Sequence, residues 1–131
     1  ISIRDTANNF NSTSTRIVII DTVNPLISYG IGTENDGANI SSSSIYVNLS
    51  ITEANFANIT FTLRNDTTQV NSTTFTALIR TINWTGLADN NYTYNISVYD
   101  IVSNFNSTAS LPLTEFQSSF LRAQTCPFSS S

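Results

Sequence analysis

The chain has 131 residues and a formal charge of −4, with five Arg against nine acids, no Lys, His or Met, and one Cys, Cys126. That composition excludes histidine acid–base or metal chemistry within the chain, an internal disulfide, a thiolate zinc site and a basic field for nucleic acid. Charged residues make up 11%, against about 25% in an ordinary soluble domain, while 17 Asn, 19 Ser and 19 Thr supply uncharged polarity.

In chain order, ISIRDTANNF (1–10) has neither an initiator Met nor a charged–apolar–small leader pattern, so the expectation is a removed leader or a piece of a longer protein. RIVIID (16–21) and LISYG (26–30) are β-branched and read as strands, parted by the turn signal of Asn24 and Pro25. After a second turn signal, ENDG at 34–37, IYVNLSIT (45–52) alternates, with Ile45, Val47, Leu49 and Ile51 facing one way. NITFTLRN (58–65) alternates through Ile59, Phe61 and Leu63, and TFTALIRTINW (74–84) reads as a further strand. TGLADNN (85–91) signals a turn, and NYTYNISVYD (91–100) alternates through Tyr92, Tyr94, Ile96 and Val98. The last candidate strand, STASLPLTEF (107–116), contains Pro112, which has no N–H to give a ladder.

No segment has a helical period, and no apolar run nears the ~18–20 residues of a membrane span. About seven short strands in ~95 residues predict an all-β chain, an Ig-like antiparallel β-sandwich with an additional N-terminal strand segment. The expected organisation is that strand segment at 1–21, the sandwich at 22–115, and a tail of unclear structure at 116–131 that holds Cys126. Tyr92 follows Leu87, Ala88 and Asp89 at the start of a late strand. It is either a tyrosine corner, its phenol tied to nearby backbone, or simply an inward aromatic. Trp84 is expected in the core with Phe61 and Tyr94.

Sliding the chain on itself by 95 residues aligns ISIRDTANNFNST (1–13) with ISVYDIVSNFNST (96–108), eight identities in thirteen positions without a gap. Low complexity could supply the Asn, Ser and Thr matches; it does not readily supply the ordered Ile, Asp and Phe matches. A period of 95 is too long for a solenoid and suits tandem sandwiches of ~100 residues each. On this reading the chain starts late in one copy, crosses a junction, and then contains one full copy.

Asn-x-Ser/Thr sequons occur at Asn11, Asn39, Asn48, Asn58, Asn65, Asn71, Asn83, Asn91, Asn95 and Asn106, about twice the number that the Ser and Thr content gives by chance. They are candidate N-glycosylation sites on a surface poor in charge, and Asn48 and Asn95 lie on the outward parity of their strands. The alternative is that outward Asn and Thr alternate for strand reasons alone. The acids fall mostly in turns and mark no carboxylate pair, and Ser has no His or Lys partner, so no enzyme is expected. No cofactor is expected either. A calcium site at an interdomain seam would draw on Asp21 with Glu34 and Asp36, or with Asp89.

Residues 58–108, from NITFTLRN through VNST, INWTGLADNNYTYNISVYD and NFNST, resemble the tandem Ig-like repeats of archaeal and some bacterial cell-surface proteins. The opening DTANNFNST and RIVIIDTVNP resemble the end of one repeat and its junction to the next. The likeness runs from residue 1 to about 112. Asn90 stands where those repeats carry a turn Gly, and Val102, Ser103 and Asn104 where they read Ala-Gly-Asn; Asn tolerates positive φ.

The resemblance implies an extracellular or cell-surface structural module, a spacer, adhesin stalk or filament subunit, whose partners are neighbouring Ig-like copies and glycans. The N-terminal segment could add to a neighbour's sandwich by strand donation, or be the leftover end of a preceding copy in one polypeptide. The other function class is a carbohydrate- or partner-binding module using its end loops, with Phe56 and Tyr46 as the aromatics to place.

Overall fold

The structure, a computed structural model, describes residues 1–109 and, as backbone, 111–115. The tail expected at 116–131, with Cys126, lies outside the described residues. The strands are β1 (Ser2–Arg4), β2 (Phe10–Ser12), β3 (Leu26–Tyr29), β4 (Asn39–Ile40), β5 (Ile45–Thr52), β6 (Phe56–Asn65), β7 (Gln69–Phe75), β8 (Thr81–Trp84), β9 (Asn91–Asp100), β10 (Phe105–Ser107) and β11 (Leu111–Glu115). There is no helix among the described residues, hence none long and apolar enough to cross a membrane.

β1 and β2 form a hairpin of their own. The sandwich pairs a small sheet, β3-β5-β8, with a large one, β4-β11-β9-β6-β7, in which β10 also pairs with β9. All pairings are antiparallel except β11 with β4. The chain is thus an all-β, Ig-like sandwich, as its alternation predicts.

Period-2 alternation puts one face of each long strand into a single core: Ile45, Val47, Leu49 and Ile51 from β5, Ile59, Phe61 and Leu63 from β6, and Tyr92, Tyr94, Ile96 and Val98 from β9. Burying each such side chain contributes roughly 1.5–3 kcal/mol, which makes these eleven positions the main source of cohesion. Trp84 closes the core from β8, its ring centroid 5.8 Å from that of Tyr94, while Tyr29 meets Tyr94 edge-on at 5.7 Å. Phe61, also in the core, stacks edge-on with Phe75 of its own sheet rather than with Trp84. Trp84 keeps its polar edge satisfied, Nε1 donating to Asn71 Oδ1 at 3.2 Å.

The two core tyrosines differ in one respect. Tyr92 OH donates to the Ala88 carbonyl at 2.8 Å, which ties the turn to the start of β9 and is the tyrosine corner. Tyr94 OH is buried with no partner among the described residues, and burial pushes its pKa well above the ordinary tyrosine range.

Three strand expectations need correction. RIVIID is not a strand: 13–25 run without sheet pairing, and no described strand takes them as a neighbour. TFTALIRTINW is broken at 76–80, where the chain leaves β7 in the large sheet and crosses to β8 in the small one. STASLPLTEF is likewise two pieces, with β10 starting earlier at Phe105 and β11 carrying Pro112.

Removing the two phenol oxygens should separate their roles. Tyr92→Phe is expected to cost about 1 kcal/mol through the lost corner bond, whereas Tyr94→Phe leaves stability unchanged or raises it slightly, because no bond is lost. Urea denaturation of the two variants against the parent measures this.

Candidate functional site

At the end of β9 the chain turns through 100–104 into β10. Asp100 N donates to Asn104 O at 3.1 Å and Ser103 N to Asp100 O at 3.2 Å. Ser103 sits at φ 71°, the left-handed residue that closes a three-residue hairpin loop. Ser103 stands where the similar repeats carry Gly, while neither Asn104 nor Asn90 has a positive φ; Gly86, earlier in the connection to β9, does, at φ 69°.

Asp100 is only 3% exposed. Its Oδ1 accepts from Val102 N (2.9 Å) and Asn104 N (2.8 Å), and its Oδ2 accepts from Asn104 Nδ2 (2.7 Å). Asn104 Nδ2 also reaches the carbonyls of Asp21 (3.0 Å) and Val23 (3.3 Å). Two amide protons face three oxygens, so one proton is shared, and the long Val23 contact is the weaker member. Farther along, Asn106 Nδ2 donates to Pro25 O at 2.8 Å. The hairpin thereby grips the segment 21–25 that feeds β3.

A second hand comes from the β5–β6 connection. Asn55 Nδ2 donates to Asp21 Oδ2 at 2.6 Å, and Asn55 N to Glu53 Oε1 at 2.7 Å. Carboxylate oxygens of Asp21, Glu53 and Asp100 all lie within 4.8 Å of one another. Oxygen donors of this kind suit a hard cation in type. Each carboxylate, however, already accepts amide protons, and those donors offset the mutual repulsion without an ion. The Asn55 amide, then Val23 N, hold the Asp21 carboxyl below the ordinary aspartate range. Beside this clamp, between Ile20–Leu26 and Thr52–Asn55, opens a cleft of about 380 Å³.

The other predicted calcium residues are elsewhere. Glu34 and Asp36 lie in the β3–β4 connection and Asp89 in the turn before β9, at the opposite end of the sandwich. Sequence reasoning missed Glu53 and Asp100 as Asp21's neighbours; the signal available was the Asp100–Asn104 pair repeated at Asp5 and Asn9.

That repetition is complete in geometry. β1 pairs with β2 as Ser2↔Ser12, Ile3↔Asn11 and Arg4↔Phe10, and β9 pairs with β10 as Ser97↔Ser107, Val98↔Asn106 and Tyr99↔Phe105. Adding 95 turns one register into the other. Asn8 sits at φ 70°, and Asp5 takes Asn9 N (2.8 Å) and Asn9 Nδ2 (2.7 Å) as Asp100 takes Asn104. Those bonds lower the Asp5 pKa, the Asn9 side chain most. Thr13 N donates to Ile1 O at 2.9 Å, and Thr108 N to Ile96 O at 2.8 Å.

The sequon asparagines are all exposed or half-exposed. Three have their amide nitrogen engaged: Asn48 with Ile31 O (2.9 Å), Asn106 with Pro25 O (2.8 Å) and Asn91 with Asp66 Oδ2 (3.2 Å). Asn11, Asn39, Asn58, Asn65, Asn71, Asn83 and Asn95 carry no amide-donor bond among the described residues. Of the two aromatics singled out for binding, Phe56 packs against the core, while Tyr46 is 42% exposed. A further exposed pair, Tyr99 and Phe105, tilts together with ring centroids 4.9 Å apart.

No protein-family model matches the chain, and no curated protein sequence does. An engineered protein of known crystal structure superposes with a TM-score of 0.53 and 14% identity, over 71% of this chain and 20% of that one. The fibronectin(III)-like modules of Clostridium thermocellum CbhA superpose at 0.50 and 13% identity, over 69% of this chain and 94% of theirs. The chain therefore has the fibronectin(III)-like, Ig-like sandwich fold, and likeness at such identities extends to the fold alone.

Two tests address the clamp. Asn104→Ala should cost about 2–3 kcal/mol, since it strips the Nδ2 donor from a buried carboxylate and from two carbonyls, and should open 21–25 to limited proteolysis. A carboxyl with a depressed folded pKa stabilises above its ordinary value and loses that effect as pH falls through the folded value. Docking of the junction should hold from pH 8 to 5, with no histidine to titrate, and loosen below about pH 4, read by proteolysis within 21–25.

Proposed function

We propose that this chain is a structural module of a repetitive, extracellular or cell-surface protein, serving as a spacer, stalk or filament subunit, and that N-linked glycans coat it. The observation that carries this reading is the duplicated hairpin: 1–13 and 96–108 share register, left-handed residue and carboxylate–amide clamp at a spacing that equals one sandwich. A hairpin built for a sandwich, standing outside one, belongs to a neighbouring copy. Its role is mechanical and involves no chemistry on a substrate.

The glycan part rests on the outward placement of the sequons and the scarcity of charge. The Nδ2 of Asn48 and of Asn106 is turned inward onto a carbonyl that holds the β3 end or the junction, where a sugar on the same nitrogen would crowd that contact, so these two should stay bare. Glycopeptide mapping of the native protein, released from intact source cells by surface proteolysis, is the test. The expected result is accessible peptides with glycan on several of Asn58, Asn71, Asn83 and Asn95, and none on Asn48 or Asn106. Release only after cell lysis, with every sequon bare, would refute both the location and the coat.

A second reading, a carbohydrate-binding module, draws on the exposed Tyr99–Phe105 pair, since aromatic faces stack on sugars. Glycan-array binding that is lost in Phe105→Ala would favour it.

A further inference from the structure

We propose that residues 14–20 are the closing strand of a preceding copy of the sandwich, set on that copy in the register β11 takes on β9, so that successive copies join with no free linker. This rests on the repeat reading above and adds the strand, its partner and its register.

The hairpin 1–13 has the build of 96–108 with the opposite surroundings. Ile1 and Ile3 are 101% and 73% exposed, whereas Ile96 and Val98 are both at 0%. Its apolar side is made for a core that the other described residues do not supply. The residues that follow continue the pattern: Ile17, Val18, Ile19 and Ile20 stand 88, 79, 52 and 86% exposed. Four successive large apolar residues in water, all β-branched, have the chemistry of a strand and no partner among the described residues.

The 95-residue shift says which edge. It lays residues 16–19 on Leu111, Pro112, Leu113 and Thr114, which pair with Tyr94, Thr93, Tyr92 and Asn91 of β9. Val18 therefore opposes the preceding copy's residue at the Tyr92 position, and directly opposed residues share a face of the sheet. Ile17 takes the place of Pro112 and has the N–H that Pro112 lacks. Ile20 falls on Glu115, whose partner is Ile40 in β4.

The next residue is already held on the near side. Asp21 is tied to Asn55 and Asn104 of this copy. The chain thus passes from one module to the next between Ile20 and Asp21, with no spare residue. The occupant is a copy in the same polypeptide, because here β11 already fills the β9 edge and a strand from another chain would have to displace it.

The test extends the full chain, with Cys126→Ser, by a second copy of residues 22–95 placed before Ile1, so that Asn95 precedes Ile1 as it precedes Ile96. Hydrogen exchange at 16–20 should slow on the order of a hundredfold relative to the unextended chain. Val18→Cys should form a disulfide with Tyr92→Cys of the added copy, and Ile17→Cys, which points to the other face, should not. A parallel fusion with the sequence of 109–115 in place of 14–20 controls for folding. Protection of 1–13 while 14–20 exchange freely overturns the strand and leaves the repeat reading standing. A first copy that folds only with 109–115 in place has the same meaning. No protection anywhere in 1–20 beside a folded second copy, in either fusion, overturns both.

Discussion

At the end of β9 the Asp100 carboxylate is 3% exposed, and an ionised group set that deep is tolerated only when donors surround it. Two backbone amides of its own turn and the Asn104 side chain supply them. The same Asn104 nitrogen spans to the carbonyls of Asp21 and Val23. The bonds that satisfy this buried charge close the hairpin, and the hairpin fixes the path by which the chain enters β3. With that path set, Leu26 can pair with Thr52 and Tyr29 with Leu49, and the Tyr29 hydroxyl reaches Thr108 at 2.8 Å and the Ala109 carbonyl at 2.9 Å. The two sheets are joined at this end by polar bonds that have no freedom to slide.

Elsewhere the surface is built from uncharged groups that bond one another. On the outer face of the large sheet Thr60 and Thr74 hydroxyls meet at 2.8 Å, and Thr62 faces Ser72 at 3.5 Å. Asn65 Oδ1 closes the β6–β7 turn by accepting from Thr67 N and Thr68 N. Cross-strand hydroxyl pairs of this kind each contribute a few tenths to about 1 kcal/mol. They let this sheet face meet water with little charge. The edge strand β7 is polar and largely exposed, which makes it a poor template for unwanted pairing.

Much of the fold was legible because β5, β6 and β9 alternate strictly, so parity alone named the eleven core positions they contribute. β7 was not legible: Gln69 to Thr74 carry little apolar content, and β6 recruits them through register and hydroxyl pairing. β4 is two residues long and exists only because β11 passes beside it. RIVIID failed in the opposite sense, having strand chemistry without a partner. At the site, Asp21 was visible as a junction acid, but Glu34, Asp36 and Asp89 were only sequence-plausible neighbours. Strand direction sends those three to the far end and brings Glu53 and Asp100 to the near one.

The twin hairpins divide the two contributions cleanly. Residues 1–13 and 96–108 take the same register, the same left-handed residue and the same carboxylate–amide bonds in wholly different surroundings. Local sequence alone determined that shape, because the bonds that define it close within thirteen residues. It also determined which side of each strand is apolar. Burial was left to tertiary structure: Asp5 lies in water and Asp100 in the interior, Ile3 is exposed and Val98 is not. What separates them is whether β5, β6 and the 21–25 segment stand alongside, and only long-range packing can decide that.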